Sequence, residues 1–142
     1  SPFAPIEIGS LPTGGTRSLS DERITVGGEM RYYRFYAPGT ASPTVTLTRR
    51  NGATFLPSLA GMKTIQNELV WQRVVDADES GNAQLGPNAF RPCIPLSECA
   101  SGVQCPPNMC SEAQAEFIFA VFDFNGAAGP GAFSYDINVK VN

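Results

Sequence analysis

The stretch Phe133-Ser134-Tyr135-Asp136-Ile137-Asn138-Val139-Lys140-Val141 decides the fold class. Apolar and aromatic residues alternate with polar ones at a period of two, the pattern of a β-strand with one buried and one wet face. A helix would scatter the same residues around its circumference and leave no coherent apolar side. Thr44-Val45-Thr46-Leu47-Thr48 repeats the pattern, with hydroxyls on one side and aliphatics on the other.

Outward from these two runs, further strands are expected at Arg23–Val26, Glu29–Tyr36, Glu68–Val75 and Glu116–Phe124, with shorter ones at Pro5–Ile8 and Ala53–Leu56. Turn residues punctuate them at Thr13-Gly14-Gly15, Gly27-Gly28, Pro38-Gly39, Asn51-Gly52 and Asn125–Gly131. Only Glu112–Glu116 has the look of a short helix start. Six to eight short strands with regular turns predict an all-β antiparallel β-sandwich or jelly roll, a single domain over residues 1–142. The longest irregular segment is expected from about Asp76 to Met109.

Composition agrees. The 142 residues hold 14 Gly and 12 Pro, which tight turns tolerate and long helices do not. The net charge is −3 and no basic block occurs, so a phosphate-neutralising nucleic-acid surface is not expected; Arg49-Arg50 reads as a solvated strand end. No apolar run approaches the roughly 18 residues needed to cross a bilayer as a helix. With neither an initiating Met nor a charged-then-apolar leader, the chain reads as a piece of a larger protein.

Cys93, Cys99, Cys105 and Cys110 fall in one stretch rich in Pro, Ser and Asn. Their spacing predicts a loop at about 76–110 stapled by two local disulfides, with all three pairings open, in an oxidising extracellular or cell-surface setting. The rival is a zinc site, which normally uses C-x₂-C knuckles and often His; the chain contains no His. The same lack removes the usual base of a hydrolase triad, and the acids fall mainly at turns and strand edges. The expectation is a non-catalytic domain without a resident cofactor.

Two strings carry possible binding chemistry. Asp76-Ala77-Asp78-Glu79-Ser80-Gly81-Asn82 opens like a calcium loop, with oxygen ligands at Asp76, Asp78 and Ser80, yet the twelfth position is Pro87 where a bidentate Glu belongs. The alternative is an acidic solvated turn. In Tyr32-Tyr33-Arg34-Phe35-Tyr36, alternation that puts Tyr33 and Phe35 in the core sends Tyr32, Arg34 and Tyr36 outward. Such a row can stack on sugar rings or anchor a protein partner; otherwise it is ordinary cross-strand packing. Trp71, alone in mid-strand, is expected in the core.

Along Glu116–Phe124, Phe117, Phe119 and Val121 point one way while Ile118, Ala120, Phe122 and Phe124 point the other. A strand apolar on both faces needs cover on both. The expected cover is the adjacent cysteine loop, with a neighbouring subunit as the alternative.

The run Gly28-Glu29-Met30-Arg31-Tyr32-Tyr33-Arg34-Phe35-Tyr36-Ala37-Pro38-Gly39, followed by Thr44–Thr48, resembles the bacterial pre-peptidase C-terminal domain. Glu116–Phe122, Asn125-Gly126, Gly131 and Ser134-Tyr135 are similar to its closing hairpin. Arg31 stands where the family has an acidic residue, and Arg49-Arg50-Asn51-Gly52 replaces its Asp-rich segment. The resemblance implies a β-sandwich module with an accessory, targeting or adhesive role on a secreted or surface protein. The leading functional expectation is therefore a non-catalytic extracellular interaction module binding glycan or a neighbouring protein domain. The alternatives are a structural subunit of a surface assembly or fibre, and a calcium-stabilised accessory domain of a secreted enzyme.

Overall fold

The computed structural model describes residues 4–24, 29–39, 41–51, 56–65, 68–87, 93–95, 103–105, 109–111, 115–123 and 133–142. For 63–65, 68–72 and the strands between 93 and 111 the backbone alone is described. Twelve strands are present among these residues: β1 (Ile6–Ser10), β2 (Thr16–Ile24), β3 (Met30–Ala37), β4 (Pro43–Asn51), β5 (Pro57–Ile65), β6 (Glu68–Asp76), β7 (Asn82–Leu85), β8 (Cys93–Pro95), β9 (Val103–Cys105), β10 (Met109–Ser111), β11 (Ala115–Asp123) and β12 (Phe133–Val141). No described helix is long and apolar enough to cross a membrane.

Two sheets face each other. Sheet A has the order β1-β3-β11-β5-β6, sheet B the order β2-β12-β4-β7, and β8-β10-β9 form a small third sheet. One apolar cluster joins the main pair: Tyr33, Phe35, Phe117, Phe119, Val121 and Leu59 from sheet A meet Tyr135, Ile137, Val139, Val45, Leu47 and Leu85 from sheet B. Cross-strand register sets its aromatic centre. Phe117 lies opposite Phe35 and Phe119 opposite Tyr33. The rings of each pair stack, with centroids 5.1 and 5.0 Å apart, a geometry that adds roughly 0.5–1.5 kcal/mol per pair beyond area burial.

The β-sandwich expected from the alternating runs is what forms, and β12 matches the deciding stretch end to end. Four strand expectations need correction, and one helix expectation. First, the pairing is not wholly antiparallel, because β1 runs parallel to β3 with a bulge between Glu7 and Gly9. Second, the strand expected at Ala53–Leu56 lies outside the described residues except for Leu56, which is in no strand, and β5, which was not expected, begins at Pro57. Its sequence Pro-Ser-Leu-Ala-Gly-Met has little β propensity. It is nevertheless an interior strand, since Pro57 sits at the tolerated first position and small Ala60 lies opposite Ala120. Third, β2 begins at Thr16, well before Arg23, and most of its residues are exposed; an edge strand carries no strong apolar alternation to read. Fourth, the segment from Asp76 to Met109 is not simply irregular, as it contributes β7 to sheet B and carries the small third sheet. The helix suggestion at Glu112 is overturned where it is described, since Ala115 and Glu116 open β11.

The two-faced strand is β11. Its inner residues join the main cluster, while Ile118 and Ala120 form a second cluster with Ala60 and Met62, flanked by Met30, Tyr32 and Phe122. Ile118 is 1 % exposed and Ala120 0 % in the lone chain. The cover is therefore supplied within the chain, and no second subunit is needed for it.

Candidate functional site

On β3, alternation places Tyr33 and Phe35 in the core, both fully buried, and Tyr32, Arg34 and Tyr36 half-buried on the opposite face. The three outer residues do not form one continuous row. Tyr32 packs against the covered apolar cluster, and its hydroxyl approaches Met30 Sδ at 3.6 Å. Arg34 sits over Tyr36, with its guanidinium carbon 5.7 Å from the ring centroid. Register brings Glu7 of β1 beside Arg34, and Glu116 of β11 lies opposite Tyr36. Arg34 therefore bridges two carboxylates, Glu7 through Nη2 and Glu116 through Nη1 at 3.3 Å. The hydrogen bond to Glu7, above all, holds the guanidinium in its charged form more firmly than usual. The result is a compact Glu–Arg–Tyr corner at the β1 side of sheet A.

The acidic string is a turn built around Asp78. Its Oδ1 accepts the backbone N–H of Ser80 at 2.9 Å and of Asn82 at 3.0 Å. Its backbone pairs with Asn82 and Gly81. Asp76 accepts from the Ser58 hydroxyl across the β5–β6 pair at 2.8 Å. Asp78 thus spends an oxygen on the chain's own amides. Among the described residues, no three of Asp, Glu, Cys and His come together as a cation site. Gly81 is required here: at φ +81° it lies against Arg49, whose Cβ would stand 2.5 Å from an added methyl.

Of the cysteines, Cys99 lies outside the described residues, and so do the side chains of Cys93, Cys105 and Cys110, hence their pairing. The backbone register places Cys93 opposite Ser111 and Cys105 opposite Met109. The Trp71 side chain also lies outside what is described.

Two polar constellations were invisible in the sequence. The first is centred on two buried tyrosines. The Tyr33 hydroxyl donates to Glu22 Oε1 at 2.8 Å and lies 2.7 Å from the Tyr135 hydroxyl, while Arg31 approaches the same carboxylate oxygen at 3.7 Å and donates to the Arg23 carbonyl at 2.7 Å. Burial foremost pushes both phenols well above their ordinary range, more so for Tyr33, which also faces Glu22. For Arg31, burial works against the charge, but Tyr33, Tyr135 and Glu22 together outweigh it and raise its value. This arrangement ties β2, β3 and β12 together around two fully buried tyrosines, with Arg31 and Glu22 at its partly exposed edge.

The second constellation is open. The outer face of sheet B carries a shallow groove of about 190 Å³ lined by Ser18 and Ser20 of β2, Asp136 and Asn138 of β12, and Thr46 and Thr48 of β4. A bulge in β2 opposite β12 shapes it: the pairing skips between Tyr135 and Ile137. At the bulge Asp21 takes φ 54°, a left-handed conformation that costs a non-glycine residue on the order of 1–2 kcal/mol. Its N–H is held by Asp136 Oδ1 at 2.9 Å. Alternation along β4 and β12 could have disclosed the polar face, but only the pairing order puts these strands side by side.

No protein-family model matches the chain, and no curated protein matches it. Solved structures similar to it include the pre-peptidase C-terminal domain of a collagenase from Bacillus anthracis, at TM-score 0.41 and 10 % identity over 99 % of each chain. Aeromonas hydrophila PliG, a periplasmic inhibitor of g-type lysozyme, is similar at TM-score 0.41 and 9 % identity, over 98 % of this chain and 100 % of that one. CorA, a surface-associated copper-binding protein of Methylomicrobium album BG8, is similar at TM-score 0.35 and 10 % identity, over 95 % and 98 %. The collagenase domain is of the kind that the Gly28–Thr48 region resembles.

Proposed function

We propose that this domain is a non-catalytic interaction module of an extracellular or envelope protein, and that it engages a protein partner through the Glu7–Arg34–Tyr36–Glu116 corner of sheet A. The observation that carries this reading is the preorganised state of Arg34, stacked over Tyr36 and bridged by two carboxylates. Tyr and Arg are the residue types that most often dominate binding energy, and a side chain already held in place loses little entropy on docking. The exposed carboxylates at its rim favour a partner surface carrying Lys or Arg. The extracellular setting rests on the four clustered cysteines.

The competing readings have weaker support. The apolar face of β11 that suggested a fibre or surface-assembly subunit is buried within the chain. The acidic string that suggested a calcium-stabilised accessory domain spends Asp78 on backbone amides.

The test is retention of the fluorescently labelled domain on the cells that produce it. Arg34→Ala and Tyr36→Ala should each weaken retention about tenfold without unfolding the domain. Protease treatment of the cells should abolish retention. Undiminished binding by both variants, or binding that survives protease, would overturn the proposal.

A further inference from the structure

We infer a second binding site, independent of the sheet A corner: the groove on the outer face of sheet B takes one ring of a neutral sugar. A sugar hydroxyl both donates and accepts, so its site must present mixed donors and acceptors on a surface that is not strongly charged. The groove does so. The hydroxyls of Ser20, Thr46 and Thr48 make no side-chain hydrogen bond among the described residues. They stand on either side of Asp136 and Asn138, because β2 and β4 flank β12.

The two central side chains are fixed by their neighbours and still have capacity. Asp136 uses Oδ1 for both the Asp21 N–H at 2.9 Å and Arg50 Nη1 at 3.2 Å, so its second oxygen remains as an acceptor. Asn138 gives its amide N–H to Ser18 Oγ at 2.8 Å, which leaves its carbonyl oxygen to accept. The two residues are two apart on one strand, about 6.8 Å along it, which brackets a single ring. Arg50 balances the Asp136 charge, so the floor offers no strong attraction to an anion or a cation. A volume of about 190 Å³ corresponds to on the order of six waters. That suits one sugar ring lying flat rather than a drug-sized ligand. With no aromatic in the lining to stack on the ring, the affinity should be weak, about millimolar.

The experiment is a chemical-shift titration of the isotopically labelled domain with the methyl glycosides of glucose, galactose, mannose and N-acetylglucosamine. Glycerol serves as the acyclic control. At least one glycoside should shift the amides of residues 18–20, 46–48 and 136–138 with saturation, and glycerol should not. Thr46→Val, which keeps the side-chain shape, and Asn138→Ala should each weaken that binding about tenfold while leaving the fold's spectrum intact. Should either variant fail to fold, the wild-type shift map still decides. Arg34→Ala and Tyr36→Ala should leave the titration unchanged, so failure here and failure of the sheet A proposal are separable. Absence of saturable shifts with all four sugars, equal shifts with glycerol, or binding indifferent to both groove variants would overturn the inference.

Discussion

Replacing Phe35 by Ala tests the packing logic of the whole sandwich. Phe35 is fully buried, stacked on Phe117 at 5.1 Å and tilted against Phe119 at 6.3 Å. A buried Phe→Ala change costs about 3–5 kcal/mol through lost transfer energy and a residual cavity. Because two ring contacts vanish with it, the upper half of that range is expected, about 4–5 kcal/mol. For a domain of this size each kcal/mol lowers Tm by roughly 3–5 °C, so the fall should be about 12–25 °C. The neighbouring Tyr36, on the opposite face, is the control. Its loss removes a cation–π contact and some half-buried area, about 1 kcal/mol. Urea unfolding followed by the single tryptophan should therefore separate the two variants by about 3–4 kcal/mol, with unchanged m-values. If Phe35→Ala does not fold, Phe35→Leu should still, at a cost of about 1–2 kcal/mol. Equal losses at the two positions, or a larger one at Tyr36, would mean that β3 is slipped by one residue. The outer corner would then be lost with it.

Three further outcomes are expected. Because burial raises the Tyr33 and Tyr135 phenols above the unfolded value of about 10, the native state retains protons that the unfolded state releases. Stability is therefore undiminished below pH 10 and falls above it by up to about 1.4 kcal/mol per pH unit for each tyrosine, measurable by denaturant unfolding between pH 9 and 11. Asp78→Ala should cost about 1–2 kcal/mol by leaving the Ser80 and Asn82 amides without their acceptor. Millimolar calcium should not change the melting curve, and a calcium-dependent rise lost in Asp78→Ala would restore the metal reading. Finally, the intact, non-reduced domain should weigh four hydrogens less than the reduced chain by mass spectrometry, whereas free thiols with bound zinc would refute the stapled loop.

What the sequence determined by itself was the period of its elements. Phe133–Val141 and Thr44–Thr48 alternate strictly, and a strand can bury only every second residue, so all-β class and the inward aromatics of β3 and β11 were legible. The edge strand β2 and the small-residue strand β5 were poorly legible, because an edge strand needs no apolar face and an interior strand beside Ala120 needs small ones. Which strands are neighbours emerges only in three dimensions. Pairing is a long-range event, and no local pattern encodes that β1 lies parallel to β3 or that β12 lies between β2 and β4. The Tyr32–Arg34–Tyr36 row illustrates the difference. Alternation put all three on one face, but the neighbours of β3 divided them, Tyr32 into the covered cluster and Arg34 between two carboxylates. The sheet B groove arises the same way, from Ser, Thr, Asp and Asn residues scattered over more than a hundred positions. Each is an unremarkable polar residue along the chain, and hydrogen bonding between strands gathers them onto one surface.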